Sequence, residues 1–195
     1  VTVDQSKATR EEYLAYLRGV VEQFDLDVHT YEKATRIERI DGGLRVHTER
    51  RGQTRQREAT HVVVAIGDMH RPRRLGIEGE DLPHVSHYFV EPHDYFREKL
   101  LIVGGKNSAV EAALRCHRAG ADVTISYRRR DFDEGHVKYW LTPEIRSLIK
   151  HGHIAFHPET LPQRITPSHV TLGRVDAPDQ ATDVPADFVL LLTGY

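Results

Sequence analysis

The segment Leu100–Ala113 constrains this chain more than any other, because an unbroken apolar run, Leu100–Val103, meets two glycines and then a helical pattern of small residues. A short continuous apolar run of this kind suits a strand buried on both faces, as in a parallel sheet. Beyond Gly104 and Gly105, residues Ala109, Ala112, Ala113 and Cys116 recur on one helical face. The alternation continues down the chain. Ala119-Gly120 ends the helix, Asp122–Tyr127 reads as a strand, 137–150 as a helix and 153–157 as a strand. That order is the βαβ signature of an α/β, Rossmann-like domain in which helices pack on a parallel sheet.

The glycine turn is also a candidate ligand site. In the G-x-G-x-x-G/A fingerprint, the first glycine makes the tight turn, the second lets the backbone approach a pyrophosphate, and the last small residue brings helix and strand together. Gly104 and Ala109 fit the first and last positions, whereas Lys106 replaces the second glycine. With Gly105 beside it, Lys106 would add charge toward phosphates, and Asn107 and Ser108 would place amides and a hydroxyl at the positive helix end. An ordinary strand-to-helix turn without a ligand is the alternative reading.

The end of the next strand discriminates between them. An NAD-binding unit places Asp or Glu there, about twenty residues after the glycines. This chain has Tyr127-Arg128-Arg129-Arg130 instead. Arg128 and Arg129 can grip a 2′-phosphate through planar, charge-assisted contacts, so the expected coenzyme is NADPH rather than NADH. A solvated loop is the plainer explanation of the arginines. Nucleic-acid binding is not expected, because Asp131, Asp133 and Glu134 offset the positive field.

Ahead of this unit the pattern differs. Thr9 and Glu12 form a capping box, and Leu14, Leu17, Val20, Val21 and Phe24 follow at helical spacing, leaving an apolar face that needs a partner surface. The runs 27–29 and 35–40, the turn Asp41-Gly42-Gly43, the alternating run 44–48 and a charged edge strand within 49–58 read as a β-meander. The apolar run 61–66 is expected as a buried strand ending at Gly67, and 68–82 as an exposed irregular loop in which Arg71, Arg73 and Arg74 are solvated, with a contribution to cofactor phosphate or substrate binding as the alternative. A domain boundary is placed near Glu91-Pro92-His93, dividing 1–92 from 97–190, with 191–195 leading onward.

Composition removes several classes. The formal net charge is -2, with 29% charged and 39% hydrophobic residues, so the chain reads as folded and neither disordered nor polyanion-binding. No apolar stretch approaches the ~20 residues that span a bilayer, and no charged-then-apolar leader is visible, so no membrane partner and a cytoplasmic location are expected. The lone Cys116 excludes an internal disulfide, a CxxC pair and a cysteine-rich zinc site; on the inner helix face it is expected to be buried. The thirteen histidines fall in different elements without cysteine or carboxylate at ligand spacing, so no metal is expected. Tyr139 and Trp140 are expected as packing residues, with a flavin-facing lid as the alternative.

Residues 102–113, IVGGKNSAVEAA, together with Tyr127-Arg128-Arg129, resemble the NADPH domain of flavoproteins related to thioredoxin reductase. The lysine of that turn, Val137–Trp140, Leu82–Phe89 and Leu192–Tyr195 are most similar to the bacillithiol disulfide reductase branch. The resemblance covers nearly the whole chain. It implies an FAD enzyme that takes hydride from NADPH and reduces a small-molecule disulfide, with a homodimer as a family expectation. It further implies that 1–92 is the later part of an FAD domain, in which Ala65 and Gly67 lie against the flavin, and that 97–190 is the inserted NADPH domain. Ile66 replaces the usual Thr, so that contact must be mainly backbone. Thioredoxin reductases carry a CxxC pair near 84–91, and with no cysteine there this chain cannot relay electrons through one. The first FAD fingerprint and the closing flavin contact are both missing from the sequence, so the expectation is a fragment whose activity belongs to a complete parent. No catalytic acid, base or nucleophile is assigned. A flavin monooxygenase, which shares this turn, and a non-catalytic NADP(H)-binding module are the alternatives.

Overall fold

The computed structural model describes residues 8–67, 69, 71–133 and 135–194. They fall into two compact units that divide between Ile66 and Gly67. The first contains helix α1 (Arg10–Gln23) and strands β1 (Lys33–Ile40), β2 (Gly43–Arg50) and β3 (Gln53–Ala59). The Thr9–Glu12 capping box starts α1: the Glu12 N–H donates to Thr9 Oγ1 at 3.2 Å and the Thr9 N–H to Glu12 Oε2 at 2.7 Å. None of its residues is buried. The three strands form an antiparallel meander in the order β1-β2-β3, as the turn chemistry implies. Ile40 pairs with Gly43 across a two-residue Asp41-Gly42 loop in which Gly42 has φ 87, the backbone that hairpin turns require.

The run 61–66 does not form the expected strand. Val63, Val64 and Ile66 are 89%, 62% and 74% exposed, and among the described residues no strand pairs with them. Apolar and β-branched residues favour a strand only where a neighbouring strand completes the ladder and a second layer covers the face. The described residues place neither beside this run.

The second unit is built on a five-stranded parallel sheet ordered β4-β11-β5-β6-β7, from β4 (Val85–Ser86), β5 (Lys99–Val103), β6 (Asp122–Tyr127), β7 (Ala155–Pro158) and β11 (Phe188–Leu191). Alternation along β5 explains its continuous apolar sequence. Leu100 and Ile102 join a core with α2 (Asn107–Arg118) and α3 (Thr142–Lys150). Leu101 and Val103 face the opposite way, into a core with Ile165, Val170, Leu172 and Val184. Those residues belong to a second antiparallel meander, β8 (Thr160–Ile165), β9 (His169–Arg174) and β10 (Ala181–Pro185), which the sequence reading left unassigned. Helices therefore cover one face of the sheet and a meander the other.

Three further expectations change. Helix α3 begins at Thr142 rather than at 137, because Pro143 lacks an N–H and is tolerated only in the first turn. Tyr139 and Trp140, in the turn before it, are 82% and 50% exposed and meet edge to face at 5.0 Å instead of packing inward. The loop 68–82 contains no helix or strand among its described residues, as expected, but it is not simply exposed: Leu75, Ile77 and Leu82 pack on the second core. The chain then gives β4 to the parallel sheet. A 3₁₀ turn, Pro92–Tyr95, leads from it into β5. No helix among the described residues is long and apolar enough to cross a membrane.

Candidate functional site

Chain order and strand order diverge at β5. From β5 the chain moves through α2 to β6 and through α3 to β7 on one side, and later returns to place β11 on the other. In open α/β sheets the crevice at the carboxyl ends of strands at such a reversal is the usual ligand site. A cleft of about 380 Å³ opens here, within the range of small-molecule pockets. Its walls come from the turn after β5, the ends of β6 and β11, and the loop around Arg73.

The two glycines of the turn are required for different reasons. Gly104 has φ 146, and a Cβ there would lie 2.5 Å from the Leu192 carbonyl oxygen and 3.1 Å from the Ala109 Cβ. Its absence lets α2 and β11 close on one another, and the small side chain of Ala109 serves the same approach. Gly105 lies against the Tyr127 ring, which would overlap an added Cβ. That ring is itself held, stacked on Phe132 at 6.0 Å.

The cleft brings together Gly104, Gly105, Lys106, Ser108 and Arg128 from the sequence-derived candidates. The others occupy different places. Ala109 is buried beneath the turn. Asn107 faces the following loop: its N–H donates to the His136 carbonyl at 3.2 Å and its Oδ1 accepts from the Lys138 N–H at 2.8 Å. Lys138 Nζ also pairs with Glu111 at 2.6 Å, so the first two turns of α2 hold the 136–138 segment. Arg129 is engaged with Asp133 at 2.7 Å. The Asp133 carboxyl lies below the usual range because the Gly135 N–H, His136 and Arg129 all donate to it. Ala65 and Gly67 are exposed and do not line this cleft.

Arg73, Lys106 and Arg128 are the charged residues lining the cleft, and none of the lining residues is acidic. Arg73 belongs to the 68–82 loop and lines the cleft instead of standing in solvent alone. Its N–H donates to the Gly194 carbonyl at 2.9 Å, and the Thr193 hydroxyl donates to its carbonyl at 3.3 Å. Glu80, which sequence reasoning missed, anchors the same loop from within. Its buried carboxylate accepts the N–H groups of Leu75 and Gly76, each at 2.8 Å, with His87 at 3.4 Å and Arg74 at 3.6 Å. Burial pushes the Glu80 carboxyl up, but those N–H donors and the neighbouring Arg74 and His87 outweigh it and hold it below the ordinary carboxylate value. The only advance signal was a glutamate after Gly79 in a glycine-punctuated loop.

Cys116 is fully buried in α2, and burial pushes its thiol up to about 12. Among the described residues no group of three or more His, Cys, Asp or Glu side chains is arranged to hold a metal ion.

The family model for pyridine nucleotide-disulphide oxidoreductases matches residues 1–195. Bacilliredoxin reductase Bdr of Bacillus subtilis is 36% identical over 135 residues, covering 69% of this chain and 41% of that protein. The structure of bacillithiol disulfide reductase Bdr from Bacillus cereus superposes on all of this chain and 59% of its own, with TM-score 0.89 and 33% identity. Thioredoxin reductase of Lactococcus lactis, at 22% identity, shares the fold with TM-score 0.77 over all of this chain and 63% of its own. The chain thus spans about half the length of the relatives it matches. By the family match along its whole length, it belongs to the pyridine nucleotide-disulphide oxidoreductases.

Proposed function

We propose that the cleft holds NADPH and that the chain is the coenzyme-binding portion of an FAD-dependent reductase acting on a low-molecular-weight disulfide. The observation that carries this reading is a glycine turn at the strand-order reversal, opening on a cleft whose charged residues are all cationic. An NAD-selective site would place a carboxylate beside the ribose. Arg128 at the end of β6 presents a guanidinium there instead, and a 2′-phosphate is the group it suits.

Each residue then has a physical task. Gly104 and Ala109 let α2 approach the sheet, so that its N-terminal amides and Ser108 meet the pyrophosphate, with Lys106 adding charge. Asn107 acts one step back, fixing the 136–138 segment on the helix start. Arg129 lies next to Arg128 as a further cation for the 2′-phosphate, at present shared with Asp133. The apolar walls, Leu75, Val103, Leu161 and Leu192, exclude water from the dinucleotide. In this reading the segment 65–67 would meet a flavin through its backbone, since Ile66 replaces the usual Thr and Gly67, at φ 72, holds the left-handed backbone that suits glycine. When bound, the coenzymes supply the hydride transfer and the electron-carrying chemistry. Cys116, single and buried, takes no part in a dithiol relay.

Division of the chain into the later part of an FAD domain, 1–92, and an NADPH domain, 97–190, belongs to the same proposal, as do a homodimer and a cytoplasmic setting. The disulfide is bacillithiol disulfide in this reading, which rests on the names of the solved relatives from Bacillus cereus and Staphylococcus aureus. Titrating the full chain with NADPH and NADH tests the coenzyme. NADPH should bind more tightly, and Arg128→Ala should weaken it by about tenfold or more while changing NADH by less than about twofold. Equal affinity for the two coenzymes in the unaltered chain would sink the assignment. Bacillithiol disulfide should accelerate NADPH oxidation by the flavin-loaded holoprotein; an unchanged rate rejects that substrate.

A further inference from the structure

Arg73 enters the cleft from outside the βαβ unit. We propose that Arg73 anchors the phosphoryl group of the nicotinamide half of the dinucleotide, and that Glu80 is the positioning residue that sets it there. The inference rests on the assignment of this cleft to NADPH.

The order of the cations across the sheet fixes which half each one meets. Arg128 follows β6, Lys106 follows β5, and Arg73 is hydrogen-bonded to Thr193 and Gly194, which follow β11. These strands are neighbours in the order β11-β5-β6. A dinucleotide crossing the crevice with its 2′-phosphate at Arg128 and its pyrophosphate at the start of α2 lays its remaining half beside β11. Arg73 is the charged residue on that side.

Its neighbours have other partners. Arg74 pairs with Asp81 and approaches Glu80, and Arg129 pairs with Asp133; among the described residues no ion pair goes to Arg73 or Arg128. The backbone around Arg73 is held on both sides, by Gly194 and Thr193 at residue 73 and by the Glu80 carboxylate at residues 75 and 76. That carboxylate is 3% exposed, so water competes little for its two N–H donors. A guanidinium carried on a backbone fixed in advance loses less freedom on binding an anion than one on a mobile loop.

Two half-ligands separate the roles. Binding of NADPH, NADH, nicotinamide mononucleotide and 2′,5′-ADP is measured on the full chain by calorimetry or ligand-observed NMR. Arg73→Ala, an exposed substitution, should weaken NADPH, NADH and nicotinamide mononucleotide alike by about tenfold, leaving 2′,5′-ADP within about twofold. Arg128→Ala should instead weaken NADPH and 2′,5′-ADP and spare nicotinamide mononucleotide. Glu80→Gln, which keeps one acceptor oxygen, should follow the Arg73→Ala pattern more weakly with 2′,5′-ADP affinity intact, whereas general damage to the fold would lose both half-ligands. Unchanged nicotinamide mononucleotide binding in Arg73→Ala, or an equal loss of 2′,5′-ADP, overturns the role of Arg73 while leaving the NADPH assignment standing. If the unaltered chain binds neither coenzyme, both fall together.

Discussion

The ring of Tyr127 fills the space that a Cβ on residue 105 would need. The turn after β5 and the last residue of β6 are therefore packed as one piece, and the shape of the cleft floor depends on both.

Gly105→Ala should destabilise the chain by about 1–3 kcal/mol, as overpacking of a filled core does. Because the Tyr127 ring is held by Phe132, it has little room to move aside. Adding Tyr127→Ala removes the obstacle, so the double variant should be less destabilised than the sum of the two single changes. Denaturant unfolding of the four proteins in this cycle measures the coupling; strict additivity would contradict the packing.

Arg128 and Arg129 are neighbours in sequence but differ in circumstance. Arg129 is tied to Asp133, whereas Arg128 lines the cleft. Arg129→Ala should cost less NADPH affinity than Arg128→Ala. Asp133→Asn, which releases Arg129 from its carboxylate, should tighten NADPH and leave NADH unchanged. Titrations of the three variants at one ionic strength provide the comparison, since salt screens such contacts.

Buried Cys116, with its thiol pushed up to about 12, should be inert in the native chain. At pH 8 only about one thiol in ten thousand would be ionised, and the thiolate is the reactive form. Ellman's reagent should therefore give no rapid colour until denaturant is added, when one equivalent reacts.

Glu80 predicts the direction of an acid effect. Its folded value lies below the ordinary 4.5, so its contribution to stability is complete above about pH 4.5 and is lost as pH falls through the lower folded value. Glu80→Gln should lower stability at neutral pH and flatten the decline on the acid side. Thermal melts of both forms between pH 3 and 7 would show the two curves converging toward low pH.

The βαβ unit was legible because its signals are local. The apolar run of β5, the glycines, the small-residue face of α2 and the arginines after β6 are each dictated by neighbours within a few residues. Cys116 and the Asp41-Gly42 hairpin could be read for the same reason. What escaped depends on distant partners. Glu80 has structural value only through amides that the fold of its own loop turns toward it, and Arg73, for which solvent was the first expectation and a ligand contact the alternative, joins the cleft only through Thr193 and Gly194, far along the chain. The meander β8-β9-β10 was missed because its apolar positions are spaced by prolines, glycines and charges that resemble loop composition. The run 61–66 failed in the opposite sense. Its composition is that of a strand, but strand formation is a property of a pair.

Uncharged, free of proline and rich in β-branched residues, Val62–Ile66 has the sequence character of segments that recruit identical segments into stacked sheets. Exposed as it is, the run offers neighbouring molecules a strand-forming segment, so self-association should rise with concentration. A surface that paired with this run would thus act as a guard against fibril-like aggregation as well as a wall of the fold.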